Sequence, residues 1–189
     1  MTDSTDLRYP IGNFEWLQPD TPEASAKARE EQIDVLAKTP LQMRSAVQGL
    51  SAPQLDTPYR PEGWTVRQVV HHVPDSHMNA YMRFKLALTE HQPEIKTYRE
   101  DEWAKLADST ITPVEVSLQL LAALHSRWVD LLRSMKASDF ERTLYHPERG
   151  VLTLEQMLAL YAWHSAHHLA HITTLRERMH WNQRAAVQP

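Results

Sequence analysis

No cysteine occurs in the 189 residues. Its absence excludes disulfides, cysteine-type zinc sites and a protein thiol nucleophile, and it suits a reducing compartment. Any thiol chemistry must then bring the thiol as a second substrate. Glycine is almost as scarce. Gly12, Gly49, Gly63 and Gly150 are the only four, too far apart for a phosphate-cradling loop or a dinucleotide fingerprint, so nucleotide cofactors are not expected. No apolar run approaches the ~18 residues a membrane span needs. The opening MTDSTDLRYP is acidic where a secretory signal would be basic and then apolar. A soluble cytoplasmic protein without a membrane partner is expected. Basic blocks are missing too: Lys and Arg number 20 against 24 Asp and Glu, a formal charge of -4. Nothing there would neutralise a phosphate backbone, which argues against a nucleic-acid partner.

A hydrophobic content of 42% over this length suits one domain, residues 1–189, with a core large enough to fold without a metal staple. A metal in such a chain serves function before it serves folding. Histidine is plentiful: eleven in all, four of them between His164 and His171.

The patterning predicts an all-α fold with no sheet. Residues 1–20, with Tyr9, Phe14 and Trp16 among Pro10, Gly12 and Pro19, read as an extended arm that packs on the body. Thr21 and Pro22 supply an N-cap and a first-turn proline for helix one, whose stripe is Ile33, Leu36, Met43, Val47 and Leu50. Pro40 within it predicts a kink or a break. Thr65 and Gln68 form a capping box that opens helix two, about 65 to 89. A short helix is expected near Tyr98 to Leu106. Thr112, Pro113 and Glu115 are expected to open helix three, striped by Leu121, Leu124, Trp128, Leu131 and Met135. Thr153 and Gln156 open helix four, which runs to about Met179. Four long one-sided helices imply a four-helix bundle.

On a wheel of ~100° per residue with His168 at zero, Met157, Tyr161, Leu175, Met179, Leu154 and Ile172 fall between about -20° and +40°. His164 lies at about -40°, His171 at about -60° and His167 at about -100°, toward the rim. His164 and His168 are thus the buried i, i+4 pair. Such a pair can close two bonds to a cation of the zinc, nickel or iron type. A third ligand is expected from a neighbouring helix; helix two offers His71, His72 and His77, and the wheel favours His72 or His77 without deciding between them. His72 shares a flank with Ser76, Asn79 and Arg83.

The segments YPIGNFEW, QLDTPYRPEGWTVRQVVHHVPDSHMNAYMRFKLALTE, LYHPE and LYAWHSAHHLAHITTLRERM resemble the YfiT group of the DinB-like helical bundles. The resemblance covers nearly the whole chain. It implies a four-helix bundle, usually a homodimer, with one divalent metal held by three histidines. The ligands carried over by motif are His72, the second histidine of the HH pair, and His164 and His168 of the H-x-x-x-H pair. The group includes metal-dependent hydrolases and proteins associated with S-transfer of bacillithiol, a low-molecular-weight thiol, onto electrophiles. The motif VVHHVPDSH departs from the expected pattern in carrying Pro74.

Three neutral imidazoles leave a divalent ion, zinc before nickel or iron, with an open position, which is the arrangement of a catalytic site. Such a site activates water or a thiol against a small-molecule substrate. Asp75 is expected to orient a ligand imidazole or act as a base, and Asn79 and Arg83 to hold a carboxylate or other anion. The rival reading is a non-catalytic bundle whose histidines serve metal storage or a dimer seam. It predicts a filled coordination sphere or no metal.

Overall fold

Thr21 accepts a hydrogen bond from the backbone N–H of Ala24, and Pro22 occupies the first turn, where its missing donor is harmless. From there α1 runs over Pro22–Val47. In this computed structural model, residues 6–16 and 21–181 are described. The expected arm is therefore seen over 6–16, and its remaining residues lie outside the described ones. A short α2, Ala52–Leu55, leads to α3, Val66–Thr89, which the Thr65–Gln68 capping box opens. Pro40 and Pro74 sit inside continuous helices, so neither divides its helix.

The link carries α4, Glu100–Trp103, and α5, Ala107–Ile111. The next long helix, α6, covers Val114–Ser134. Its start differs from expectation: Pro113 is the N-cap, and Thr112 instead closes α5. The Thr112 carbonyl meets Arg67 and His71 of α3, which fixes Thr112 against α3 rather than at the head of α6. After α7, Ala137–Phe140, comes a hairpin that the sequence pattern did not predict. Strand β1, Thr143–His146, pairs antiparallel with β2, Gly150–Thr153, and Leu144 faces Leu152 across it, both buried. Gly150 takes φ +75, a conformation that a side chain disfavours, at the end of the turn. Two strands of four residues are too short for alternation to stand out. Thr153 and Gln156 then cap α8, Leu154–Arg178.

The four long helices α1, α3, α6 and α8 form the bundle: α1 packs on α8 and α6, and α3 packs on the same two. The interior is split in two. One apolar cluster joins Leu36, Phe84, Trp128 and Leu158; the other joins Met43, Val69, Leu121 and Ile172. Between them each helix contributes a polar or proline position: Pro40 on α1, His72 and His77 on α3, His125 on α6, and His164 and His168 on α8. The fold thus sandwiches a layer of imidazoles between two apolar cores.

Candidate metal centre

His72 projects from α3, and His164 and His168 from successive turns of α8, where the four-residue spacing puts both on one face. One nitrogen from each lies within 4.8 Å of the others, the sole such group of three His, Cys, Asp or Glu ligands among the described residues. His72 Nε2 and His164 Nε2 stand 3.3 Å apart. Two nitrogens bound to one ion at ~2.0–2.1 Å with a tetrahedral angle lie about 3.4 Å apart, so the spacing fits a shared cation. His168 Nδ1 is buried without a hydrogen-bond partner in the structure. Burial penalises the imidazolium form in all three, helped by the other histidines. It brings His72 down to about 3 and holds His164 and His168 well below the ordinary value. Neutral imidazoles are the form that ligates, so the donor set fits a divalent ion.

The cluster opens on a pocket of about 830 Å³. Trp64 packs beside His72 with ring centroids 4.6 Å apart, and Tyr9 of the arm lies 5.8 Å from the His167 ring. Tyr59 stacks on His171 at 3.9 Å, while the Arg8 carbonyl lies 3.1 Å from His171 Nε2. Arm and loop together therefore roof the histidine face. His167, expected at the rim, is buried, because Trp163 stacks on it at 4.4 Å and the arm covers it. A wheel sees one helix and not what lies over it.

Arg83 lines the pocket and is buried. It donates to the Tyr161 hydroxyl at 3.3 Å and the Lys96 carbonyl at 3.0 Å, and no carboxylate pairs with it among the described residues. Asp75 and Asn79 do not line the pocket. Asp75 is half-buried near Asp108 of α5, and burial first, then Asp108, raises its carboxyl to about 6. The Asn79 amide donates to the Asp75 carbonyl at 2.9 Å. His71 lies 2.7 Å from Ser117 Oγ and 3.0 Å from the Thr112 carbonyl, away from the cluster. His77 stands behind it, with both ring nitrogens engaged by other histidines.

Among the pocket residues to which the sequence reading gave no role are Trp64, Tyr161 and His146. Trp64 precedes the capping box, and Tyr161 sits one turn before His164 on the apolar stripe. His146 ends β1, where its Nδ1 accepts from the Glu148 N–H at 3.2 Å. Each lies in a segment that carries the family resemblance, Trp64 in RPEGWT, His146 in LYHPE and Tyr161 in LYAWHS, which marks the segment without giving the residue a role.

The matches to known proteins agree with this geometry. A curated Bacillus cereus (strain 03BB102) protein named "Putative metal-dependent hydrolase" is 53% identical over 180 residues, covering 93% of this chain and 99% of the relative. A Bacillus mycoides (strain KBAB4) protein of the same description is 54% identical over 176 residues, with the same shares covered. Among solved structures, YfiT from Bacillus subtilis, described as a probable metal-dependent hydrolase with an unusual four-helix bundle topology, superposes with a TM-score of 0.87. It shares 48% identity and covers 93% of this chain and 98% of its own. The DinB superfamily model matches residues 36–172, a stretch holding all four long helices from the middle of α1 to near the end of α8. With that match over most of its length and relatives of this identity, the chain belongs to the DinB superfamily.

Proposed function

We propose that the protein is a divalent-metal-dependent enzyme in which His72, His164 and His168 hold one ion and a substrate with an anionic group enters the pocket beside it. The observation that carries this reading is the convergence of three neutral imidazoles, with no carboxylate among them, on the wall of an open pocket. Three neutral ligands leave the ion's charge uncompensated, and the donor set suits zinc, nickel or iron. The chemistry such an ion supplies when bound is the activation of water or a thiol for nucleophilic attack near neutral pH.

The chain's own side chains do the rest. Arg83, charged and without a carboxylate partner, holds the anionic part of the substrate, with Tyr161 orienting the guanidinium. Trp64, Tyr9 and Trp163 supply apolar walls that thin the water around the reacting group. Activation of water is the first reading and matches what the relatives are named for. Thiol transfer is the second. It is favoured by a pocket volume at the upper end of small-molecule sites, and with no cysteine in the chain the nucleophilic sulfur would come from a co-substrate. Assembly as a cytoplasmic homodimer, implied by the resemblance, belongs to the same proposal, and sedimentation of the purified protein tests the dimer.

The test of function is turnover by tag-free protein loaded in turn with zinc, nickel and cobalt. It is assayed against carboxylated esters and amides and against a thiol with a carbon electrophile. One ion per chain, with turnover in either panel that His168→Ala abolishes, is the expected result. Absence of stoichiometric metal, or bound metal with no turnover in both panels, overturns the reading.

A further inference from the structure

Pro40 has no N–H, so the carbonyl it would have bonded one helical turn earlier, that of Leu36, is left without its helical donor. The donor comes from another helix. His125 Nδ1 of α6 lies 2.6 Å from the Leu36 oxygen. His125 Nε2 lies 2.7 Å from His77 Nδ1, and His77 Nε2 lies 3.1 Å from His164 Nδ1. His164 Nε2 then faces His72 in the three-histidine cluster. A line of hydrogen bonds thus runs from a backbone carbonyl on α1, through α6 and α3, to the group on α8 that turns toward the site.

The direction of that line follows from elementary valence. A carbonyl oxygen only accepts, so His125 must carry its proton on Nδ1. A neutral imidazole has one N–H, so His125 Nε2 is a lone pair and His77 Nδ1 must donate to it. His77 Nε2 is then a lone pair, and His164 Nδ1 must donate in turn. His164 Nε2 is left bare toward the cluster. His77 and His125 are fully buried, and the nitrogens of the three rings meet only one another, a backbone carbonyl and the cluster, with no carboxylate in the line to balance an imidazolium, so the line is neutral. Alternative tautomers put two N–H groups or two lone pairs face to face somewhere along the line. That misfit is costly where no water can relieve it.

We infer that His77 and His125 are positioning residues which, anchored on the Leu36 carbonyl that Pro40 leaves open, lock His164 as the Nδ1–H tautomer with Nε2 presented to the metal site. The inference rests on the ligand assignment proposed above and deepens it. A metal-bound histidine commonly gives its second N–H to a carboxylate or a carbonyl. Here two neutral imidazoles intervene, so His164 is oriented and polarised without a negative charge near the ion.

The tautomers are read directly, in metal-free protein, by long-range nitrogen–proton NMR on 15N-histidine-labelled samples. His125, His77 and His164 are all expected with the proton on Nδ1, the minor form of free imidazole side chains in water. A protonated Nε2 on His164 overturns the inference whether or not the protein binds metal. The second arm is zinc affinity at neutral pH in His125→Leu and His125→Gln. Leucine removes both bonds; glutamine can donate to Leu36 and accept from His77 in the same sense. His125→Leu is expected to weaken zinc binding by about 10- to 100-fold. His125→Gln should restore it to within a few-fold of the parent. Equal affinity in a folded His125→Leu, or equal loss in both variants, overturns the inference. Should either variant fail to fold, the tautomers of the unsubstituted protein still decide. If that protein shows the assigned tautomers and binds no zinc, the proposed function fails and the tautomer assignment survives.

Discussion

Arg83 donates to the hydroxyl of Tyr161 at 3.3 Å, and Tyr161 packs edge-on against His77 and tilted against His164, with centroids 5.4 and 5.7 Å away. Through one phenol, the buried guanidinium on α3 is tied to the histidine layer on α8. A cation held at that depth without a carboxylate leaves its attraction for an anion unspent.

Arg83→Met keeps most of the stem and removes the charge, so it should raise KM for a carboxylated substrate while leaving metal content unchanged. Charge-assisted hydrogen bonds contribute about 1.5–3 kcal/mol, which corresponds to an increase of roughly 10- to 150-fold. The comparison that isolates the effect is a neutral substrate of the same shape, whose KM should barely move. Equal losses for both substrates would show that Arg83 is structural.

His164→Ala and His168→Ala should each lose most bound metal and still fold, because the apolar clusters on either side of the layer do not depend on the ion. His167→Ala should retain metal, since His167 stacks on Trp163 and is not in the ligand group. Elemental analysis and far-UV circular dichroism of the three variants check this. Metal retained at full stoichiometry in both of the first two variants contradicts the ligand set.

Much of this architecture was legible because it rests on short-range signals. The Thr65–Gln68 and Thr153–Gln156 capping boxes mark the starts of α3 and α8 to the residue, since a cap is a contact between neighbours in sequence. The shared face of His164 and His168 follows from four-residue spacing alone. What was illegible depends on packing between helices. The wheel could not choose between His72 and His77, because the choice depends on how α3 lies against α8. In the structure His72 reaches the cluster, whereas His77 sits one ring behind. His125 belongs to no motif and no short-range pattern of α6 marks it. Its partner is a carbonyl 89 residues away, left without a helical donor by Pro40, for which the sequence predicts only a kink or a break.

Trp128 is fully buried and joins the first apolar cluster to the histidine layer, packing on Phe84 at 5.6 Å and on His77 at 5.7 Å. Trp128→Ala should destabilise the fold by about 3–5 kcal/mol through lost burial and the cavity left behind. Urea unfolding measures it, and a change below about 1 kcal/mol would place this ring outside the stabilising core.

The buried imidazoles predict the acid behaviour of the metal-free protein. His72 is held down to about 3, and His125, His167 and His171 to about 4, chiefly by burial, whereas unfolded histidines titrate near 6.5. Between those limits the unfolded chain binds more protons than the folded one, so stability is full above about pH 6.5 and falls as pH drops toward 4. Urea midpoints recorded at pH 7, 6 and 5 should decline by more than a single histidine can explain. Constant midpoints over that range would mean that the histidine layer is already open to water.

Asp75 works in the opposite sense. Its carboxyl is raised to about 6, by burial and then by Asp108, above the ordinary value of 3.8. The folded chain therefore holds this proton more tightly, and the stabilisation it brings is present at low pH and lost as pH rises through about 6. At neutral pH Asp75 is ionised in a site that disfavours the charge. Asp75→Asn keeps the shape and removes the titration, so it should stabilise the protein at pH 7 and have little effect, or the reverse one, at pH 4. Its metal content should equal that of the parent, because Asp75 neither lines the pocket nor joins the ligand group. Paired urea unfolding curves at the two pH values, with elemental analysis alongside, decide the matter. A loss of stability at pH 7 would show that the carboxylate has a favourable partner there, and a loss of metal would return Asp75 to the site as a group that orients a ligand.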